Sequence, residues 1–499
     1  MALARLTSRG QRGMDAYEVT VEVHLSGGLP SFTITGLPAA AVRESRDRVR
    51  AALQTFGSPL PPSRITAHLG PADIPKEGGR FDLPIALGVL KADRHYPWQT
   101  DGTEFIGELA LNGELRPVQG VLLAVLAARD AGRAIIIPAG NAPEAALVDD
   151  ATIYPAGHLC EVVAHLDETA RLAPLQTATA TPASNSDLEL ADVRGQSAAK
   201  RALIIAAAGD HNLLLIGPPG AGKSMLAQRL PGLLPPLSVE EMLCVASIAS
   251  IAARSVNEIA SSRRPFRAPH HGASAVALVG GGNRPRPGEI SLAHLGVLFL
   301  DELPEFQRSA LEALRQPLET GVITVARASE TVHFPAAFQL VAAMNPCPCG
   351  YLGDGSGRCR CSETRLQTYR SRLSGPLLDR FDLQVELSRV PLEHMTNPVS
   401  AGESATAAHS VSAARDRQLI RHGILNARLS DRALWQKVPL DREGRRLLIR
   451  AAERWRLSAR CCTRILKVAR TIADLAADPD VTVPHVAEAI QLRCLERLF

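Results

Sequence analysis

The stretch LLLIGPPGAGKSMLAQRL, residues 213–230, decides the architecture. Leu213 to Ile216 is a run of four apolar residues that reads as a buried strand, and Met225 to Leu230 reads as a helix. The turn between them, GPPGAGKS from Gly217 to Ser224, matches the phosphate-binding pattern GxxxxGK[ST]. In such a loop the backbone N–H groups around Gly217, Gly220 and Gly222 cradle phosphates. Lys223 neutralises their outer oxygens, and Ser224 offers a hydroxyl to Mg²⁺. Gly-Pro-Pro-Gly alone would read as an ordinary turn. The strand before it and the helix after it favour the phosphate loop.

Two further strings lie downstream in a fixed order. VLFLDE, Val297 to Glu302, is an apolar strand that delivers Asp301 to a metal and places Glu302 where a carboxylate can activate water. Asp301 follows Lys223 by 78 residues. Phe338 to Met344 reads as another apolar strand, ending in Asn345, whose amide is suited to orienting that water. By itself VLFLDE is an ordinary strand with an acidic end, and Asn before Pro is a common turn former. Their order after the loop implies ATP hydrolysis.

A chain of 499 residues has room for two or three domains. With 46% hydrophobic and 21% charged residues it is expected to be soluble, and no apolar stretch reaches the roughly 18 to 20 residues of a membrane helix. Met1 to Gly13 lacks the apolar centre of a signal peptide, so a cytoplasmic location and no membrane partner are expected. The net charge of +4 is too small to name a partner. Residues Gln176 to Ser186, QTATATPASNS, read as a flexible linker, and Thr396 to Ser404 as a second loop. Beyond it the chain reads as helices. Between Lys223 and Asp301, APHHGASAVALVGGGNRPRPGEIS from Ala268 is broken by glycines and prolines into a long loop or hairpin. VITVARASETVHF, Val322 to Phe334, reads as a β-hairpin with Arg327 near its tip.

These features resemble the AAA+ ATPases, in particular the magnesium-chelatase-like branch that includes the MCM helicases. GEISLAHLGVLFLDELPEF from Gly288, AAMNPCPCGYLGD from Ala342, RSRLSGPLLDRFDL from Arg370 and RILKVARTIADL from Arg464 are similar to the bacterial YifB/ComM family. The resemblance implies a fold of three parts: a Lon-protease-like α/β domain over residues 1–175, a linker over 176–192, and an AAA+ parallel-sheet core over 193–392. A loop over 393–404 then leads to a C-terminal helical lid over 405–499. It assigns ATP and Mg²⁺ to Lys223, Ser224, Asp301 and Glu302, and makes Asn345 the sensor 1 residue. Arg380 resembles the finger that reaches a neighbouring subunit's nucleotide, and Arg460 the sensor 2 arginine, with Arg464 as the alternative. A finger acting in trans implies a homo-oligomeric ring, hexameric in this resemblance.

The first domain resembles the Lon catalytic domain, but PKEGGRFDLPIA from Pro75 places Arg80 at the serine position. ELRPVQGVLLAV from Glu114 places Leu122 at the lysine position. Neither can serve as nucleophile or base, so this domain is expected to be proteolytically inactive. Ala39 and Leu295 depart from residues usual in the family, Asp and Asn, without touching the phosphate chemistry.

Cys347, Cys349, Cys359 and Cys361 form C-x-C-x₉-C-x-C, which reads either as a zinc site or as four reduced thiols in a surface loop. Cys461 and Cys462 point apart on a helix. His270 and His271, beside Arg263, Arg264 and Arg267, read as a polar pore loop able to meet DNA phosphates, as does Arg327. From Asp441 to Arg470 ten Lys/Arg oppose three Asp/Glu, and Arg442, Arg446, Arg450 and Arg454 share a helical face. With 4% aromatic residues, phosphate contacts are expected to dominate base stacking. The resemblance points to a DNA-remodelling motor, helicase-like, promoting branch migration during natural transformation alongside recombination proteins. A magnesium-chelatase-type subunit and a protein-remodelling or protease-associated ATPase remain the alternatives.

Overall fold

A computed structural model describes residues 2–94, 96–176, 188–254, 263–282, 285–326, 331–389, 402–438 and 440–493. Most of the expected linker (177–187) and of the expected loop (393–401) lies outside the described residues. The chain divides into two compact units. One is Met1–Thr181 with Val239–Ser261, the other Pro182–Ser238 with Ser262–Phe499.

The first unit is built on a seven-stranded mixed sheet. Its strands are β1 (Ala2–Arg12), β2 (Asp15–Ser26), β3 (Ser31–Thr35), β4 (Arg64–Gly70), β5 (Thr103–Phe105), β6 (Ala134–Pro138) and β7 (Ile153–Ala156). They lie in the order β3-β4-β2-β1-β5-β6-β7. The long β1/β2 hairpin pairs in register from Ala2 with Leu25 to Arg12 with Asp15. Val19, Val21 and Val23 alternate into the core, as the two-residue period of a strand requires. The helices Ala40–Thr55 and Asp82–Arg94 are joined by a two-pronged ion pair, Arg48 Nε to Asp82 Oδ2 at 2.6 Å and Nη2 to Oδ1 at 3.1 Å. Arg80 is nearly buried and donates from Nη2 to the Gln119 carbonyl at 2.6 Å, and Leu122 is fully buried. The two residues read against Lon's catalytic serine and lysine are thus both taken up in the packing of this unit.

This unit takes in a helix from the segment read as ATPase core. Val239–Ile251 packs Ala246 and Ala249 into one core cluster with Val121, Leu122 and Val125 of the helix Val121–Asp130. Ser250 Oγ donates to Glu144 Oε2 at 2.6 Å, and Asn141 Nδ2 to Oε1 at 2.6 Å. Burial pushes the Glu144 carboxyl up, against the pull of Ser250 and Asn141.

The second unit contains β8 (Leu213–Ile216), β9 (Phe266–Arg267), β10 (Val297–Leu300), β11 (Val322–Ala326), β12 (Thr331–Pro335), β13 (Gln339–Met344) and β14 (Leu383–Glu386). Five of them form a parallel sheet in the order β9-β10-β13-β8-β14. The residues of β8, β10 and β13 are buried throughout, the signature of a sheet covered on both faces. β11 and β12 form the antiparallel hairpin, from Val322 opposite Pro335 to Ala326 opposite Thr331. Residues 327–330, with Arg327, lie outside the described residues. The glycine-rich segment is a short helix, Ala275–Val279, followed by a two-strand turn pairing Gly280–Gly281 with Arg286–Pro287.

From Glu403 onward the described residues are mainly helical, including Glu403–His422, Arg442–Trp455, Ala459–Leu475 and Val483–Gln491. Val411, Ile465, Leu466 and Ile490 share one core cluster with Leu213 and Leu215 of β8. The basic stripe is smaller than its composition. Arg442, Arg446, Arg450 and Arg454 are exposed, but Arg470 is buried against Asp474 at 2.9 Å and Lys467 donates inward to the Ala427 carbonyl at 3.1 Å. Arg464 pairs with Asp382 at 2.5 Å. Three of the ten cations are therefore structural, because the helix Ala459–Leu475 turns that face into the core. Cys461 is buried and Cys462 half-buried, consistent with side chains that diverge.

Candidate nucleotide site

Register brings the three strings to one edge of the sheet. Ile216 at the end of β8 pairs with Met344 at the end of β13, and Leu300 of β10 pairs with Ala342. The loop Gly217–Ser224, Asp301 and Asn345 therefore all emerge at the carboxyl ends of adjacent parallel strands, where open α/β sheets bind ligands. The helix Lys223–Leu233 starts there with its free N–H groups facing the same edge. Gly222 has φ 90°, a left-handed conformation that glycine adopts without strain. At Gly217 a Cβ would lie 2.7 Å from the Leu387 carbonyl oxygen, so the strand-to-loop turn has no room for a side chain.

The side chains meet as their chemistry requires. Lys223 Nζ donates to the Gly217 and Pro218 carbonyls at 2.6 and 3.0 Å and to Asn345 Oδ1 at 3.0 Å. Burial pushes its ammonium down, while Asp301 and Glu302 pull it back up. Ser224 Oγ donates to Asp301 Oδ2 at 2.7 Å. A hydroxyl and a carboxylate are the hard oxygen donors that Mg²⁺ prefers when phosphates complete its shell. These two residues would hold that ion, which when bound supplies charge neutralisation at the phosphates.

Glu302 stands at φ 54°, an uncommon backbone for a residue with a side chain, so the chain spends strain to aim it. The Glu302 N–H donates to Asp301 Oδ1 at 2.9 Å, fixing the turn. His271 Nδ1 lies 3.0 Å from Glu302 Oε2, and the His270 and His271 rings lie 4.0 Å apart. Of the two histidines read as DNA contacts, His271 is thus engaged with the carboxylate and His270 is exposed. Their neighbours are also engaged. Arg264 donates to the Pro235 and Leu295 carbonyls at 2.8 Å each, and Arg267 pairs with Glu289 at 2.7 Å.

The arginines divide. Arg380 is nearly buried, paired with Glu319 and donating to the Pro376 carbonyl at 2.5 Å. Arg460 is exposed on the first turn of its helix. Arg464, the alternative sensor, is committed to Asp382. Burial pushes the Asp382 carboxyl up, yet Arg464 and His211 outweigh it and hold it well below the usual carboxylate range. Asp382 Oδ2 also accepts the Asn212 N–H at 3.1 Å, tying the start of β14 to the start of β8.

Several contacts had no signal in the sequence. Tyr369 Oη donates to the Asn345 carbonyl at 3.2 Å, and Glu319 reaches Arg380 across 61 positions. Such pairs depend on tertiary placement alone. The four cysteines do come together, with all four sulfurs within 4.8 Å of one another.

Known proteins share this arrangement of sequence. A family model described as magnesium chelatase, subunit ChlI, matches residues 189–395, a model for subunit ChlI of Mg-chelatase matches 21–141, and one for its C-terminal part matches 401–493. The chain is 49% identical over 507 aligned residues to competence protein ComM of Haemophilus influenzae, covering 100% of this chain and 99% of that one. It is 46% identical to YifB of Salmonella typhimurium, over 100% and 98% of the two chains. A local match of 28% over 141 residues, a quarter of each chain, joins it to Lon protease 2 of Bacillus subtilis.

Proposed function

This chain belongs to the ComM/YifB family of magnesium-chelatase-like AAA+ ATPases, and on that footing we propose that it is a ring-forming motor that hydrolyses ATP to remodel or move along DNA. The observation that carries the hydrolytic part is the convergence at one sheet edge: Lys223 on Asn345 at 3.0 Å and Ser224 on Asp301 at 2.7 Å, with Glu302 beside them. Lys223 and the loop N–H groups bind the phosphates, Asn345 orients the attacking water, and Glu302 takes its proton. Arg380 and Arg460 complete the site at a subunit boundary, under the C-terminal helices acting as a lid.

The DNA part is supported by the likeness to a competence protein and by the exposed Arg442, Arg446, Arg450 and Arg454. His270 and Arg327 are the further DNA-contact residues of this reading. Branch migration of recombination intermediates in the cytoplasm during uptake of DNA is the activity it implies, with recombination proteins as partners. The description of the matching family models favours a second reading, a subunit assisting metal insertion into a tetrapyrrole.

ATP turnover of the purified full chain, measured alone, with a four-way DNA junction, with a porphyrin-binding partner and with an unfolded polypeptide, separates the readings. Stimulation by the junction, weakening steeply with salt as phosphate contacts require, is the expected result. Turnover indifferent to every DNA tested rules the proposal out.

A further inference from the structure

The loop between β13 and the helix Glu363–Arg370 gathers four thiols at one point. Sγ of Cys347 lies 3.3 Å from that of Cys349 and 3.8 Å from that of Cys359, and Cys349 lies 3.6 Å from Cys359. Cys361 brings the fourth sulfur into the same cluster. A disulfide would need about 2.05 Å. A tetrahedral zinc with bonds of about 2.3 Å places its sulfurs about 3.8 Å apart, close to the spacing seen here. Gathering four thiols costs loop entropy, and four thiols without a metal return little for it.

The rest of the loop is shaped to the same end. Gly350, Gly353, Gly355 and Gly357 all have φ between 67° and 84°, which lets nine residues double back between the two C-x-C pairs. Asp354 accepts from the Ser356 N–H and hydroxyl at 2.9 and 2.5 Å and pairs with Arg389 at 3.4 Å. Four thiolates around a dication carry a net charge of about −2. Arg358 and Arg360 flank Cys359, and Arg358 and Arg389 lie 5.8 and 5.7 Å from the centre of the Tyr351 ring.

The cluster adjoins the catalytic edge. Cys347 is two residues from Asn345, and a Cβ on Gly350 would stand 2.7 Å from Pro219 of the phosphate loop. After Cys361, Ser362 caps the helix whose Tyr369 holds the Asn345 carbonyl. Both ends of the knuckle therefore grip the residue that faces Lys223.

We propose that Cys347, Cys349, Cys359 and Cys361 bind one zinc ion, and that this ion holds Asn345 in register with Lys223, making the metal a positioning element of the nucleotide site. The coupling rests on the ATPase reading above; the metal site does not. Only the thiolates bind, so loading releases the thiol protons and displaces the waters of the free ion.

The test uses the full chain, purified reduced. Elemental analysis without nucleotide should find about one zinc per chain, and Co²⁺ exchanged for it should give the intense absorption of tetrahedral thiolate coordination. Cys359→Ser with Cys361→Ser should lose both signals. Because those variants can misfold, the wild-type chain stripped by a chelator and refilled is the second arm. Stripping should lower kcat about tenfold or more, with zinc restoring it, since a misplaced catalytic amide is costly. Substoichiometric metal with no tetrahedral cobalt spectrum overturns the site. One zinc per chain whose removal leaves kcat and ATP affinity unchanged overturns the coupling. If the metal is present but neither form hydrolyses ATP, the ATPase reading fails and the zinc site stands.

Discussion

Glu302 is the general base of the proposed mechanism, and its surroundings make separable predictions. Its backbone is left-handed and its side chain meets His271 at 3.0 Å, so its direction is set from both ends. Glu302→Gln should lower kcat by roughly 10²–10⁴ while leaving ATP binding intact, the expected loss of a general base. Fluorescent-nucleotide titration beside turnover reads both quantities. His271→Ala should lower kcat about tenfold with KM nearly unchanged, because an unanchored carboxylate is misplaced rather than absent. Unchanged kcat would mean that the contact does not orient Glu302. Lys76 is fully buried, and its Nζ has no hydrogen-bond partner among the described residues. Burial pushes its ammonium below the usual lysine value, with Asp73 opposing weakly. The folded state thus holds fewer protons than the unfolded one in the window below the usual value of about 10.4, so stability rises with pH there. Lys76→Met should raise the thermal midpoint at neutral pH and flatten its rise between neutral and alkaline pH.

The helix Val239–Ile251 leaves the ATPase stretch of sequence to join the core of the first unit, and Glu144 is its polar anchor. Glu144→Ala strands the Ser250 hydroxyl and one N–H of the Asn141 amide, whose two bonds to Val118 remain, each stranded group a loss of about 1–3 kcal/mol when buried. A lower unfolding midpoint for this unit, with the ATPase unit's midpoint unchanged, is the expected result in calorimetry. This helix also shows where sequence reading stops. Apart from Ser247 and Ser250, MLCVASIASI is apolar all round, so its pattern announces burial without naming the partner. The strands β8, β10 and β13 were legible because each is a largely apolar run followed at once by a motif residue, Gly217, Asp301 or Asn345. Asn345 was legible only by its place in that series, and the hairpin β11/β12 by its two short runs of β-forming residues. The pairs Arg380 with Glu319 and Asp382 with Arg464 were not legible, since motif position assigns a catalytic role to an arginine without saying what holds it in a single chain. Arg464 shows the cost of that ambiguity: the family resemblance made it the alternative sensor candidate, and the fold pairs it with Asp382.

At the scale of the whole molecule the decisive question is whether one chain can complete its own nucleotide site. Arg380 is nearly buried and bound to Glu319, so within one chain it is a structural cation. Acting on a neighbour's nucleotide requires it to exchange Glu319 for a phosphate, a trade of one anion for a more highly charged one. Lys223→Ala subunits should bind no phosphate productively but still offer Arg380. Arg380→Ala subunits should keep Lys223 but offer no finger. Each should be inactive alone. In equal mixtures that assemble at random, the chance that a subunit keeps Lys223 is one half, and the chance that its neighbour keeps Arg380 is also one half. About a quarter of the boundaries are then complete, so turnover should recover to about a quarter of wild type in a closed head-to-tail ring. Native mass spectrometry of differently tagged subunits establishes that mixed assemblies form. No recovery in such assemblies would assign Arg380 to its own chain, with Glu319 as its permanent partner.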